Sequence, residues 1–548
     1  MGQSAGTGRD VSPAGLQKDD PVRRMDSGER SGVDMGRYLL AHDIGTSGDK
    51  AVLYQENGRL VASAVAAYDT SYPHPGWVEQ DPEAWWRAVC ESTKELLRKA
   101  KAEPGQVACV SFSGQMMGCL PVDRSGKPLR PMITWADTRS ASQEQEIIRR
   151  LGLEKVYRIT GHRPSASYSA AKLLWVRDNE PEIYKKTYRM LQAKDFIVHR
   201  LTRRFITDYS DAGGTNLFDI RRKEWSEEIC GSLGIPMGLL PEAYPSATVA
   251  GSVTGEAACA CGLKEGTPVV IGGGDGSCAC VGAGAVEEGE AYCVLGSSSW
   301  ISTVNRQPVF DGQLRTFNWV HLDPALYTPC GTMQAAGLSY GWYRDTFCKE
   351  EKRIAGETGE SLYDLLDREM EKSGPGAGGV LYLPYLLGER SPRWNHAARG
   401  AFIGMDARTK KADMARAVLE GVGYNLKVIL DILEGPGEQE ALTLIGGGAR
   451  GRLWAGILAD IWGKPLRIPA DPEEATGLGA AVCGGVGIGM FADYRVVKEF
   501  RKAAESIEPD PVRGKCYQRY YEIFNRAYEA LVPVYEELAA LPGHLAEA

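Results

Sequence analysis

The sequence predicts an α/β protein built from two successive lobes, with its ligand site in the cleft between them. Three observations carry that prediction. Near residue 43 an apolar strand ends in glycine and hydroxyl residues and turns back as a second strand, and near residue 296 the same grammar restarts. Between them an uncharged strand, Val269-Val270-Ile271, runs through Gly272-Gly273-Gly274 into a single carboxylate, Asp275. Open α/β sheets bind ligands at the carboxyl ends of their strands, and glycine, lacking Cβ, lets a ligand approach the backbone there.

The first lobe opens with a strand over 38–42, turns through Asp43-Ile44-Gly45-Thr46-Ser47-Gly48 and returns over 50–54. Asn57-Gly58 marks a hairpin before a third strand at 60–64. A helix over 81–102 follows, capped by Asp81 with Pro82 in its first turn, and then a strand over 107–112. The second lobe repeats the plan: a strand at 291–295, the turn Gly296-Ser297-Ser298-Ser299, and a strand at 300–304. An amphipathic helix over 412–433 presents Met414, Val418, Val422, Leu426, Ile429 and Leu433 as one stripe. It leads to a strand at 441–445, the loop Gly446-Gly447-Gly448-Ala449-Arg450, a helix at 453–462, a strand at 465–468 and a helix from 475. From residue 509 a closing helix rich in Tyr517, Tyr520, Tyr521, Ile523, Phe524, Tyr528 and Leu531 packs back on the second lobe. The division expected is a tail at 1–36, a first lobe at 37–285, a second at 286–490 and a helical extension at 491–548.

Composition narrows the function. With 548 residues, 24% of them charged and 43% apolar, the chain reads as globular and exceeds one ordinary core. A net charge of -8, from 63 basic and 71 acidic residues, argues against a nucleic-acid surface. No stretch reads as a membrane span, because the least polar one is broken by Asp275 and rich in glycine. Thirteen scattered cysteines without a secretory leader point to reduced thiols in the cytoplasm. Cys259-Ala260-Cys261 and Cys278-Ala279-Cys280 have the wrong spacing for structural zinc and read as small hydrophobes. Residues 1–36 are polar and lack an apolar signal-peptide segment, so a disordered tail or an over-long start is expected.

The loops carry the chemistry. Asp43 heads a turn whose Gly45, Thr46 and Ser47 offer amides and hydroxyls to a phosphate, and the return strand brings Lys50 alongside; a tight hairpin with an Asx turn is the alternative. Gly296, Ser297 and Ser298 form a second cradle of the same kind. Gly446, Gly447 and Gly448, between strand and helix, would let an adenine or ribose lie against the backbone, with Arg450 beside them. Neither a P-loop nor a dinucleotide fingerprint in its proper context is present, so a nucleotide site split between two lobes ranks above both. Phosphoryl transfer asks for one carboxylate to organise magnesium and another to take a hydroxyl proton. Asp43 and Asp275 fit those roles, although Asp275 taken alone also reads as a metal ligand or a helix N-cap. Substrate contacts are expected from Gln115, Met116 and Met117, and from Trp135 against a sugar face with Asp137 and Arg139 bonding hydroxyls; a packed Trp and a surface Asp-Arg ion pair are the alternatives.

Four further segments carry a resemblance: 167–179 (Ser-Tyr-Ser-Ala-Ala-Lys-Leu-Leu-Trp-Val-Arg-Asp-Asn), 400–420 from Gly-Ala-Phe-Ile-Gly to Ala-Val-Leu-Glu, Leu383-Pro384-Tyr385 with Gly388-Glu389-Arg390-Ser391-Pro392, and 444–450. In their order along the chain they resemble the FGGY carbohydrate kinases, most nearly the xylulokinase members, over about 37–489. The resemblance implies an actin-like, ribonuclease-H-like ATPase fold with the active site in the interlobe cleft, sugar against the first lobe and ATP held mainly by the second. It implies Asp275 as proton acceptor, Asp43 as the acid for Mg2+ (through water) and phosphates, and Met116 and Met117 as the sugar-contact pair. The chain departs from the pattern at Met117, where xylulokinases carry histidine, at Gly276, where asparagine is common, and at Gly296-Ser297-Ser298, where Gly-Thr-Ser is usual. Expected partners are therefore a small sugar and ATP, with no nucleic acid and no membrane, in a cytoplasmic homodimer. Another pentulose, a polyol or a linear signalling sugar is the alternative substrate. A non-kinase ATPase of the same fold is the rival outside that chemistry.

Overall fold

The computed structural model describes residues 37–434, 439–501 and 503–541. The expected tail at 1–36 lies outside the described residues. Two seven-stranded mixed sheets dominate. In the first, β1 (Tyr38–Ile44), β2 (Gly48–Gln55) and β3 (Leu60–Ala67) form an antiparallel meander, and β4 (Val107–Gly114) joins β1 in parallel. Beyond β4 lie β5 (Val249–Ser252) and β6 (Pro268–Val270), in the order β5-β6-β4-β1-β2-β3. The second sheet repeats the centre of this order, a hairpin with parallel strands added beside its first strand. The hairpin β7 (Ala291–Leu295) and β8 (Ser299–Thr303) is extended by β9 (Phe317–Val320) and β10 (Tyr327–Met333), while β11 (Leu442–Ile445) and β12 (Leu466–Pro469) add in parallel on the other side and β13 (Ala503–Ile507) closes the edge. The doubled plan inferred from the two turns is thus a doubled sheet topology.

Local chemistry explains the elements. β1 is a central strand, and its Leu39, Leu40, Ala41 and Ile44 are fully or almost fully buried between neighbours on both sides. Helix α1 (Pro82–Ala100) starts where the Asp81 carboxylate accepts the Glu83 amide at 3.0 Å, and it ends at Lys101 in the left-handed region. Its Trp85, Val89 and Leu96 bury against the first sheet.

One expectation needs correction. Helix α4 (Lys411–Leu433; α2, Asp275–Gly282, and α3, Gly337–Phe347, precede it) does not show a single apolar stripe: Arg416, Glu420 and Asn425 are buried along with the apolar residues, while Met414 is only half-buried. It is covered on several sides, by β10, the strand Leu381–Leu383 and the helix α5 (Arg452–Trp462), and Arg416 Nε donates to Glu420 at 2.8 Å within it. The closing helix α7 (Pro511–Ala540; α6, Ala475–Gly487, precedes it) buries Tyr517, Tyr521, Phe524, Tyr528 and Tyr535 in the second core, but Ile523, expected inside, is 41% exposed.

The two halves interlock through α2 and α6. A Cβ on Gly479 would sit 1.9 Å from the Cys278 carbonyl oxygen, so these helices touch backbone to backbone. Leu478, Val482 and Cys483 of α6 then pack with Leu39, Val52 and Cys109 of the first sheet. The second half of the sequence therefore supplies part of the first lobe's core.

Candidate active site

Asp275 is the first residue of α2, and the cap is Gly274, which removes the N-cap reading of this acid. Among the described residues the carboxylate accepts only the Gly276 amide, at 2.7 Å. It is delivered by backbone pairing: Gly273 and Gly274 lie beside Ser113 and Gly114 of β4. A side chain at Gly274 would collide with Met116, 2.4 Å from the added Cβ, so glycine is what lets this loop close. The Gly274 amide donates to Ser210 Oγ at 2.9 Å, Ser210 donates to Asp208 at 2.5 Å, and Asp208 faces Lys194 at 2.9 Å. A fully buried cluster thus supports the loop from behind.

Asp43, at the end of β1, accepts from Ser113 Oγ at 2.8 Å. Neither Asp43 nor Asp275 has a cationic group within ion-pairing distance among the described residues. Burial first, and then the Asp43 charge, push the Asp275 carboxyl up to about 7; burial likewise raises Asp43. A buried acid raised further by a neighbouring acid marks a site awaiting positive charge.

Asp275, Gly276, Met116, Met117 and Trp135 line one cavity of about 170 Å3. Its other wall comes from the second lobe: Tyr292, Ser298, Trp300, Phe317, Trp319, Thr332 and Arg390. Met117 holds a left-handed backbone (φ 64), and its carbonyl accepts the buried Lys172 amine at 2.8 Å. Burial pushes that amine down to about 7. Nothing lies within 4 Å of a Cβ built on Gly276, so the cavity is open where a side chain would stand.

Several expected contacts are placed elsewhere. Asp137 and Arg139 are a correction: both side chains are buried, Arg139 Nη2 meets Asp137 at 2.7 Å, and Asp137 also accepts the Val78 amide at 2.6 Å. Arg139 continues to Glu79 at 2.7 Å and lies over the Trp77 ring at 3.7 Å. Neither lines the cavity that Trp135 borders. Gln115 is buried too, donating to Gly45 O at 3.1 Å and Gln80 at 2.7 Å, so it shapes the turn after β1 and does not line the cavity.

Around the turn, Tyr68, Gln115 and Gln80 donate to the carbonyls of Gly45 and Thr46, and Trp135 Nε1 donates to Thr46 Oγ1 at 3.1 Å. The carbonyls are pulled back, and the exposed amides of Thr46 and Ser47 stay open to an anion. Lys50 reaches across to Glu474 at 2.6 Å, an ion pair between the halves. On the second lobe, Gly296, Ser297, Gly447, Gly448 and Arg450 line a cavity of about 1070 Å3 with Tyr340, Tyr363 and Trp454, sized for a nucleotide; Gly446 precedes it, donating to Pro472 O. Arg450 is paired with Glu473. Ser298 departs from the expected phosphate cradle and faces the smaller cavity. A third cavity, about 690 Å3 at the junction of the halves, lies apart from these acids, and its Lys498 pairs with Glu287 and Glu290.

Sequence reasoning missed Arg390, Phe317 and Trp319. Arg390 stands in the Gly-Glu-Arg-Ser-Pro motif, which was the available signal; nothing local marks Phe317 or Trp319. Of the paired cysteines, Cys259 is exposed and Cys261, Cys278 and Cys280 are buried, and all are free thiols.

Comparison with known proteins agrees with this geometry. The model of the N-terminal domain of the FGGY family of carbohydrate kinases matches residues 38–282, and that of its C-terminal domain matches 291–488. Xylulose kinase of Staphylococcus epidermidis is 34% identical over 497 residues, 90% of this chain and 96% of that protein. Gluconokinase of Bacillus subtilis is 31% identical over 92% of this chain and 98% of its own length. The crystal structure of ligand-bound xylulose kinase from Lactobacillus acidophilus superposes with a TM-score of 0.85 at 27% identity, covering 92% of this chain and all of the other. With two sheets that share a central topology and both family domains matched in order, the chain belongs to the FGGY family of carbohydrate kinases, enzymes that phosphorylate a sugar with ATP.

Proposed function

We propose that this kinase transfers the γ-phosphate of ATP to a primary hydroxyl of a ketopentose, D-xylulose, giving D-xylulose 5-phosphate. The observation that carries the reading is Asp275: a carboxylate pushed up to about 7, on the wall of a sugar-sized cavity, near an acid that heads a phosphate turn. It takes the hydroxyl proton as the oxygen attacks in line, and the freed proton stays on Asp275 until product leaves. Trp135 and Trp319 offer flat apolar faces to the sugar's C–H groups. The relatives that support D-xylulose include the Staphylococcus xylulose kinase.

Mg2+ fits the same site. Among the described residues no cluster of three or more ligating side chains is assembled, which suits an ion whose other ligands are phosphates and water. Asp43, raised by burial and lacking a cation, is the residue to hold it; the ion supplies charge neutralisation on the phosphates. The amides of Thr46 and Ser47 meet the phosphates from the first lobe and Ser297 with Gly447 and Gly448 from the second.

The division into a sugar lobe (37–285), an ATP lobe (286–490) and a helical extension (491–548) belongs to this reading, supported by the two sheets. So do a cytoplasmic location, consistent with free cysteines, and a homodimer. No described helix is long and apolar enough to cross a membrane. The homodimer is supported by Val512, Val534 and Leu538, exposed on α7. Light scattering coupled to size exclusion should give twice the 59.6 kDa chain mass, and a monomer at micromolar concentration removes it.

The deciding experiment is a panel of ketoses, polyols and aldonates with ADP release as readout. D-xylulose should raise ADP production about 100-fold or more over the sugar-free rate. Failure of every sugar to do so ends the kinase reading for this substrate class; a clear preference for gluconate would move the assignment to the gluconokinase side of the family.

A further inference from the structure

We infer that Arg390 is the group by which the second lobe reads the sugar, selecting an acyclic substrate that carries two adjacent oxygen acceptors at the end away from the phosphorylated hydroxyl. This rests on the reading of the smaller cavity as the sugar site. Arg390 is the cation in the lining of that cavity, where Asp275 is the acid. No carboxylate lies within ion-pairing distance of its guanidinium among the described residues. Its surroundings are the Phe317 ring, 5.4 Å from the guanidinium carbon, and the neutral Tyr168 hydroxyl. The charge is felt nearby without being cancelled: Arg390 adds to burial in holding the His162 imidazole and the Lys172 amine below their ordinary ranges.

The main chain beneath it is held from several directions. Glu389, fully buried, accepts the Arg390 amide at 2.9 Å, the Gln334 amide at 3.0 Å and Asn425 Nδ2 at 3.0 Å, and Tyr385 donates to Asn425 at 3.2 Å. The acid therefore anchors the loop to β10 and α4 while its oxygens are consumed by N–H donors. The guanidinium is left with a planar fork of donors and no protein acceptor of matching charge, against an aromatic wall.

A fork of this kind suits a carbonyl with its neighbouring hydroxyl, as in a 2-ketose, or the carboxylate of an aldonate. It is poorly matched to a polyol, whose hydroxyls accept more weakly and bring no carbonyl. Because Asp275 and Arg390 belong to opposite lobes, one ligand touching both ties the lobes together. Arg390 thereby couples sugar recognition to closure over ATP.

The test compares wild type, Arg390→Met and Arg390→Lys on D-xylulose, D-gluconate and xylitol, measuring kcat/KM, the KM for ATP and the melting temperature. Binding of each sugar is followed separately through tryptophan fluorescence, since Trp135, Trp300 and Trp319 line the cavity. Wild type should prefer D-xylulose or D-gluconate over xylitol by about 100-fold or more. Arg390→Met should lose about that factor on the preferred sugar and far less on xylitol, with the ATP KM and melting temperature held, and Arg390→Lys should recover part of the loss. The ratio between xylulose and gluconate tells which oxygen pair is read. Equal losses on all three sugars, or an unaltered preference in Arg390→Met, overturns the inference. Wild type that binds D-xylulose with the expected preference but never turns it over defeats the kinase reading and leaves this one standing; wild type that binds none of the three defeats both.

Discussion

Replacing Asp275 by Asn is expected to lower kcat by about 10²- to 10⁴-fold, the usual contribution of a positioned general base, while the KM for ATP stays within about twofold. The side chain touches the sugar cavity and not the nucleotide cavity, which is why the two parameters separate. Steady-state kinetics with ADP release measures both; parallel loss of ATP affinity would mean that Asp275 supports the lobe rather than the chemistry. The pH dependence follows from the raised carboxyl. A base must be ionised to act, so kcat/KM should fall about tenfold per unit as pH drops below about 7. Part of that rise comes from Asp43, and a cation arriving there with ATP opposes it, so the acid limb of kcat should lie at lower pH than that of kcat/KM.

The same substitution reports on stability with a definite sign. The folded protein raises this carboxyl from 3.8 to about 7, so its favourable protonation is complete below about 3.8 and is lost as pH rises through about 7. At pH 8 the ionised group is a net cost. Three units amount to about 4 kcal/mol before screening, and water in the open cleft reduces this to about 1–2 kcal/mol. Ligand-free Asp275→Asn should accordingly melt about 1–3 °C above wild type at pH 8, with the gap closing towards pH 4. A variant less stable than wild type at pH 8 would contradict the assignment of burial as the main cause.

The second large effect is expected at Lys194, which no part of the chemistry touches. Its amine sits 2.8 Å from Asp195, 2.9 Å from Asp208 and 3.2 Å from Asp211, all essentially without solvent exposure. Burial raises Asp195 and Asp211, and the three carboxylates hold the Lys194 ammonium well above its ordinary range. Lys194→Met leaves three buried acids without their cation and should destabilise the protein by about 3–5 kcal/mol, read by urea or thermal unfolding. Because Asp208 holds Ser210, and Ser210 holds the Gly274 amide, the surviving folded fraction should also show lowered kcat. A melting temperature within 2 °C of wild type would show that the cluster relaxes into protonated pairs without cost.

Much of this architecture was legible before any coordinate. The strand at 38–42, the Asn57-Gly58 turn, the Asp81 cap and the strand ahead of Gly446 all depend on neighbours within a few residues, so period and turn chemistry suffice to place them. Asp275 was legible for the same reason, since its position after three glycines is local. Errors appeared where the deciding partner is remote. Asp137 and Arg139 look like a hydroxyl-binding pair until Glu79 and Trp77 arrive from some 60 residues away and close the network. Helix α4 shows an apolar stripe in sequence, but tertiary partners cover its Arg416 and Glu420 face as well.

By itself, then, the chain of residues determined the doubled α/β plan, the glycine-hydroxyl turns and the acid at the end of the glycine strand, because short-range sterics and periodicity specify those. Only the tertiary structure decided that Arg390 and Trp319 meet Asp275 across one cavity, that α6 completes the first lobe, and that Lys194 neutralises acids behind the catalytic loop. Each of these depends on long-range burial, which removes water from charges and so selects partners that no local pattern encodes.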